Sequence, residues 1–130
     1  MTSPAAETGA ETGLMRHGKL SYLQIPTKDA LALSAFYANV FGWQVDGNPS
    51  HVSFQDASGD LIGAFMPDRT IANEAGFLPY MSVNNVNKAL RQIEANGGTT
   101  VREPYPEGGL MVATFRDPDG NLLGIWQMAG

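Results

Sequence analysis

The stretch from Asp56 to Met66 recurs almost step for step from Asp117 to Gln127. In the first copy Ser53, Phe54, Gln55 and Asp56 lead through Gly59 into Asp60, Leu61, Ile62, Gly63, Ala64 and Phe65. In the second, Thr114, Phe115, Arg116 and Asp117 lead through Gly120 into Asn121, Leu122, Leu123, Gly124, Ile125 and Trp126. The offset is 61 residues throughout. A duplicated strand, turn and strand implies two copies of one small module, and the meeting of two modules is a natural place for a cavity. With 130 residues, 43% of them hydrophobic, the chain can bury one core but not two. The two copies must therefore share a domain.

The rest of the chain repeats in the same order. Alternation over Lys19 to Pro26 predicts a strand. Asp29 suits a helix N-cap, and Leu33, Phe36, Tyr37, Val40 and Phe41 follow at helical spacing up to the stop at Gly42. Segments around Trp43 to Val45, His51 to Gln55 and Leu61 to Met66 read as three strands between turns. The second half gives a strand at Phe77 to Val83, a cap at Asn85, and a helix with Val86, Ala89, Leu90 and Ile93 on one stripe, ended by Gly97 and Gly98. Strands at Thr100 to Arg102, Met111 to Arg116 and Leu122 to Met128 complete it, with Pro104 to Gly109 read as a longer loop. The predicted organisation is a flexible arm over 1–16 and one domain over 17–130. That domain holds two βαβββ modules, 17–66 and 77–128, joined by a linker over 67–76.

This order resembles the vicinal oxygen chelate superfamily, which includes glyoxalase I, the bleomycin-resistance proteins and the extradiol dioxygenases. The resemblance rests on the Asp-Pro-Asp-Gly-Asn run at 117–121, Phe36 and Tyr37, Phe41 to Trp43, and Asn96 to Gly98. It implies an α+β fold of two βαβββ modules forming a cup-shaped mixed sheet, with helices outside and ligands inside the cup. Chains of this length in the family commonly pair, so it also implies a homodimer. Metal-dependent members hold a divalent ion with a His or Glu from each of four strands. The corresponding slots here are Tyr22, Leu78, Gly63 and Gly124. None of these suits such an ion, and a catalytic metal needs about three N or O ligands from the protein. No metal or other cofactor is expected.

Alternation about those slots assigns Tyr22, Gln24, Leu61, Gly63 and Phe65 to the cup in the first module, and Leu78, Tyr80, Ser82, Leu122, Gly124 and Trp126 in the second. Leu23, Ile25, Ile62, Ala64, Met81, Val83, Leu123 and Ile125 are then left beneath the helices. His51, Ser53, Gln55, Thr114 and Arg116 alternate with Phe54 and Phe115 and join the cup side, Arg116 either meeting a ligand or bracing its own turn. The expected binding residues are Tyr22, Gln24, His51, Gly63, Phe65, Leu78, Tyr80, Gly124 and Trp126. Phe65 and Trp126 would stack on a planar ligand over glycines that let it approach the backbone. The competing reading is that these aromatics only fill space between modules.

Function narrows by exclusion as well. The net charge of −5 and the lack of a basic run argue against nucleic acid and favour a neutral or cationic ligand. The start of the chain lacks the pattern of a signal peptide, and no apolar stretch approaches the roughly 20 residues of a membrane span. A cytoplasmic location without membrane contact is expected. No cysteine, GxSxG elbow or phosphate-binding glycine loop is present. The leading reading is a metal-free protein holding a small, partly aromatic ligand. Beside it stand a metal-independent isomerase, lyase or cyclase using Tyr22, Tyr80, His51 or Glu103, then a metal-dependent glyoxalase or dioxygenase, and an accessory domain.

Overall fold

Asp29 and Asn85 set the two helices. The Asp29 side chain accepts a hydrogen bond from the Ala32 amide at 3.2 Å, opening α1 (Ala30–Phe41), and Gly42 closes it with φ 74°. Asn85 accepts from the Lys88 amide at 2.9 Å and opens α2 (Val86–Ala95). The computed structural model describes residues 14–74 and 76–129. Apart from its last three residues, the expected arm over 1–16 lies outside them. No helix among the described residues is long and apolar enough to cross a membrane.

Around α1 lie β1 (Tyr22–Pro26), β2 (Gln44–Asn48), β3 (His51–Gln55) and β4 (Ile62–Met66), forming a sheet of order β1-β4-β3-β2. Around α2 lie β5 (Tyr80–Ser82), β6 (Thr99–Glu107), β7 (Leu110–Arg116) and β8 (Leu122–Met128), in the order β5-β8-β7-β6. In each sheet the first strand pairs parallel with the last, and the other pairings are antiparallel. The result is the expected α+β arrangement of two βαβββ modules, built as two open, mixed four-stranded sheets.

Two expectations about the second module change. Its first strand shrinks to Tyr80–Ser82, leaving Leu78 ahead of the strand, because Pro79 has no N–H for the ladder. The supposed loop from Pro104 to Gly109 is mostly strand: β6 runs to Glu107 and turns at Gly108 and Gly109 into β7. β6 is an edge strand, where Pro104 and Pro106 are tolerated, and shifts of register between Thr100 and Arg102 and between Arg102 and Tyr105 take up the irregularity.

A larger correction concerns β4. Between paired residues Arg116 and Leu122 the second turn holds five residues, but between Gln55 and Ile62 the first holds six. The Asp117 amide donates to the Asn121 carbonyl, whereas the Asp56 amide reaches one residue further, to Leu61, each at 2.9 Å. A slip of one residue turns every side chain of a strand to the other face. Phe54 therefore pairs with Gly63, while its counterpart Phe115 pairs with Leu123. Gly63 and Phe65 consequently share the face of Leu23 and Ile25 and pack toward α1. Ile62, at 37% exposure, and Ala64 take the open side expected of Gly63 and Phe65.

One core joins the modules. Tyr37 stacks on Trp43 at 4.5 Å between ring centroids, Trp43 on Phe54 at 4.6 Å, and Phe54 meets Phe65 at 5.1 Å. Phe36 and Phe41 carry this aromatic run across to Phe115 of the second module. Polar contacts cross the same junction from the second turn. The buried Tyr37 hydroxyl donates to Asp117 Oδ2 at 2.8 Å, and Thr27 Oγ1 and the Lys28 amide donate to Asp119 Oδ2 at 2.8 and 2.7 Å. Asn121 Nδ2 donates to the Pro26 carbonyl at 2.8 Å.

Asp117 is 3% exposed and also accepts the amides of Asp119, Gly120 and Asn121. Burial pushes its pKa above the ordinary 3.8, although these hydrogen bonds oppose the rise. Burial, with the neighbouring Asp117 carboxylate, likewise pushes the Tyr37 phenol well up. Asp117→Ala should destabilise the chain by about 3 kcal/mol in urea titrations, because it leaves buried donors unpaired, and Tyr37→Phe by about 1 kcal/mol. A carboxyl whose folded pKa is raised binds its proton earlier in the folded state, so its contribution to stability grows as pH falls through the raised value toward the ordinary one. The stability advantage of the native chain over Asp117→Asn should therefore widen on acidification from neutral pH toward about 4. A narrowing gap would contradict this assignment.

Candidate functional site

Both helices and the inner faces of both sheets contribute to the shared core, so the opposite sheet faces look away from it. Each is an open face. On the first, the register brings together Tyr22 and Gln24 of β1, Ile62 and Ala64 of β4, His51, Ser53 and Gln55 of β3, and Gln44 and Asp46 of β2. A hollow of about 540 Å³ lies there, lined by all of these except Gln24 and reaching the backbone of Gly63. Its floor of Ile62 and Ala64 is ringed by a phenol, an imidazole, amides and a hydroxyl. Asp46 is the acidic member of the lining.

On the second face, one row across the sheet runs Tyr80, Gly124, Thr114 and Arg102, and the next runs Ser82, Trp126, Val112 and Tyr105. The Tyr80 ring lies across Gly124: a Cβ built there would stand 2.3 Å from it. An aromatic ring laid over a cross-strand glycine covers backbone that the glycine leaves bare. The Arg102 guanidinium carbon sits 3.3 Å from the centroid of the Tyr105 ring. Burial raises the pKa of the Tyr80 phenol, the neighbouring Tyr105 phenol and Glu107 carboxylate raise it further, and Arg102 opposes them.

The expected binding residues thus divide. Tyr22, Gln24 and His51 share the first open face, and Tyr80, Gly124 and Trp126 the second. Gly63 and Phe65 belong to the inner face, and Leu78 stands outside β5. Arg116 braces its surroundings, its guanidinium donating to the Gly120 and Asn73 carbonyls at 2.8 and 2.7 Å. Glu103 is exposed on the edge strand β6. Sequence reasoning passed over Gln44, Asp46, Ile62, Arg102 and Tyr105. Alternation against Phe54 could have found the β2 pair, whereas Arg102 and Tyr105 lie where bulges break the period.

A family-type metal centre does not fit these residues. Tyr22 is 56% exposed, Leu78 is off the strand, Gly63 is turned into the core, and the Tyr80 ring occupies the space above Gly124. Among the described residues, no three His, Cys, Asp or Glu side chains gather closely enough to hold an ion. The two glycines should also respond differently to substitution. At Gly63 a Cβ would meet the Leu23 carbonyl at 1.9 Å and the Phe54 ring at 2.3 Å, both fixed in the core. Gly63→Ala should cost about 3 kcal/mol, and Gly124→Ala about 1 kcal/mol because the half-exposed Tyr80 ring can swing aside. Urea denaturation of both variants would check this, and the reverse order would refute the placement of β4.

Comparison with known proteins agrees with this architecture. Residues 19–125 match the family model described as the Glyoxalase/Bleomycin resistance protein/Dioxygenase superfamily. A crystal structure of an enzyme of the glyoxalase/bleomycin resistance protein/dioxygenase family from Burkholderia phytofirmans PsJN superposes with a TM-score of 0.71 at 26% identity, covering 85% of this chain and 99% of that one. A glyoxalase/bleomycin resistance protein from Albidiferax ferrireducens T118 shares the fold with a TM-score of 0.65 at 20% identity, over 83% of this chain and 97% of that one. A glyoxylase-like domain-containing protein of Didymella fabae is 23% identical over 127 residues, 90% of this chain and 99% of its own length. With two βαβββ modules in one chain and a family model matched over nearly all of the described residues, the chain belongs to the glyoxalase/bleomycin resistance protein/dioxygenase superfamily.

Proposed function

We propose that the chain binds a small, partly aromatic molecule without the help of a metal ion, in a cup whose walls are its two open sheet faces. The observation that carries this reading is the hollow of about 540 Å³ on the first face, where a few convergent polar groups surround an apolar floor. Clefts of this size and lining suit small organic ligands better than flat macromolecular partners. Tyr22, His51, Ser53 and Gln55 would orient the ligand, and Trp126 and Tyr80 would face it from the second wall.

Within one chain the two walls look away from each other. A second copy would complete the cup by setting its second face against the first face of its partner. Exposed apolar side chains on both faces support such pairing: Tyr22 at 56% and Ile62 at 37% on one, Tyr80 at 36% and Met128 at 68% on the other. Ile62→Glu should then shift the chain toward monomer in sedimentation velocity while leaving its melting temperature near the native value at matched low concentration. A native chain that is monomeric at every concentration would remove the shared cup.

Proton-transfer catalysis has weaker support. The Tyr80 phenol is pushed above its ordinary range, which opposes a role as a base near neutral pH, and Glu103 is exposed. Ligand binding is tested by thermal shift and Trp126 fluorescence across a panel of small aromatic metabolites and antibiotics. A ligand at 100 times its Kd should stabilise the chain by about 2.7 kcal/mol. Ser53→Trp, which fills the hollow, should abolish the shift. A panel without any response, or a response that survives Ser53→Trp, would count against the reading.

A further inference from the structure

The second open face holds a group of side chains that packing alone does not account for. Arg102 and Tyr105 are three residues apart on β6, and in a regular strand that spacing sends side chains to opposite faces. The shift of register between them changes this: Arg102 pairs with Thr114 and Tyr105 with Val112, two positions on the same face. Bulges commonly re-aim a side chain in this way near functional sites. The consequence is the stack of the guanidinium on the Tyr105 ring at 3.3 Å.

Stacking uses the flat side of a guanidinium and leaves the N–H donors in its plane uncommitted to the ring. Across the sheet, Gly124 lets the Tyr80 ring lie flat on the strand. One face thus gathers a fork of charged donors and two phenols, with Trp126 in the neighbouring row. Arginine held in plane by an aromatic ring matches a carboxylate by two parallel hydrogen bonds.

We propose that Arg102, held by Tyr105, recognises the carboxylate of a small aromatic acid, whose ring lies toward Tyr80 and Trp126. This deepens the small-molecule reading and rests on it. It also departs from the expectation drawn from net charge, since the chain carries −5 but presents a cation at this point of the wall. Glu107, two positions beyond Tyr105 on the same face at the hairpin end of β6, is the opposing charge and would repel a second acidic group. A monoacid is therefore favoured over a diacid.

Benzoate and benzamide, alike in shape and different in charge, separate the possibilities when titrated calorimetrically into the full chain. The native protein should bind benzoate about tenfold more tightly than benzamide, as expected for a charge-assisted pair. Arg102→Gln should erase that preference by weakening benzoate about tenfold more than benzamide, and Arg102→Lys, which keeps the charge without the fork, should fall between them. An unaltered melting temperature shows that the variants fold. Equal affinity of the native chain for the two probes, or a preference that persists in Arg102→Gln, would overturn the carboxylate assignment while leaving small-molecule binding intact. Failure of both probes to bind would overturn the assignment to a simple aromatic acid, and the broader reading falls with it only if the wider panel of aromatic compounds also gives no thermal shift.

Discussion

One buried carboxylate holds the molecule together. Asp117 gathers the amides of its own turn on one oxygen and the Tyr37 hydroxyl and Asn121 side chain on the other. It thereby fixes a hairpin of the second module and binds it to the helix of the first in the same act. Polar groups at such a junction are expensive unless every one is paired, and none of the buried side-chain polar atoms described lacks a partner. The aromatic run from Tyr37 to Phe65 is then packed against a fixed frame. Because that frame joins the modules through their helical sides, both sheets are left with a free face, and the candidate site follows from that choice.

Much of this was legible in the sequence, for identifiable reasons. Asp29 and Asn85 announce helix starts because few residue types cap well, and the apolar stripes behind them admit one period only. The Asp-x-x-Gly turn is equally local, since its side chain binds amides within four residues. Strand faces are less secure, because they depend on the number of residues in a turn. Asp56 to Gly63 and Asp117 to Gly124 have the same spacing in sequence, yet the two turns close on different residues. No residue type marks that difference. The positions of Arg102 and Tyr105 were hidden likewise, because a bulge has no period and the prolines around it read as loop.

The paired glycines show how one residue type can serve two physical ends. Gly63 is required by the approach of the Leu23 carbonyl and the Phe54 ring, so it belongs to packing. Gly124 lies on the open side and is covered by one tyrosine ring, so it shapes a surface. The same letters in the same motif therefore lead to a core contact in one module and to a wall of the candidate cup in the other. Duplication supplies the scaffold, and the differences between copies decide what each half presents.

The six-residue turn at Asp56 carries a wider consequence. Side chains on a strand alternate with a period of two, so the length of a turn acts as a parity bit for everything that follows it. One added residue exchanges the buried and exposed sides of β4 without altering a single side chain within it. A relative that differed here by one deletion would present Gly63 and Phe65 to a ligand and bury Ile62, its strand sequence unchanged. Residue-by-residue transfer of roles across this turn is thus reliable only when the turn itself has been counted.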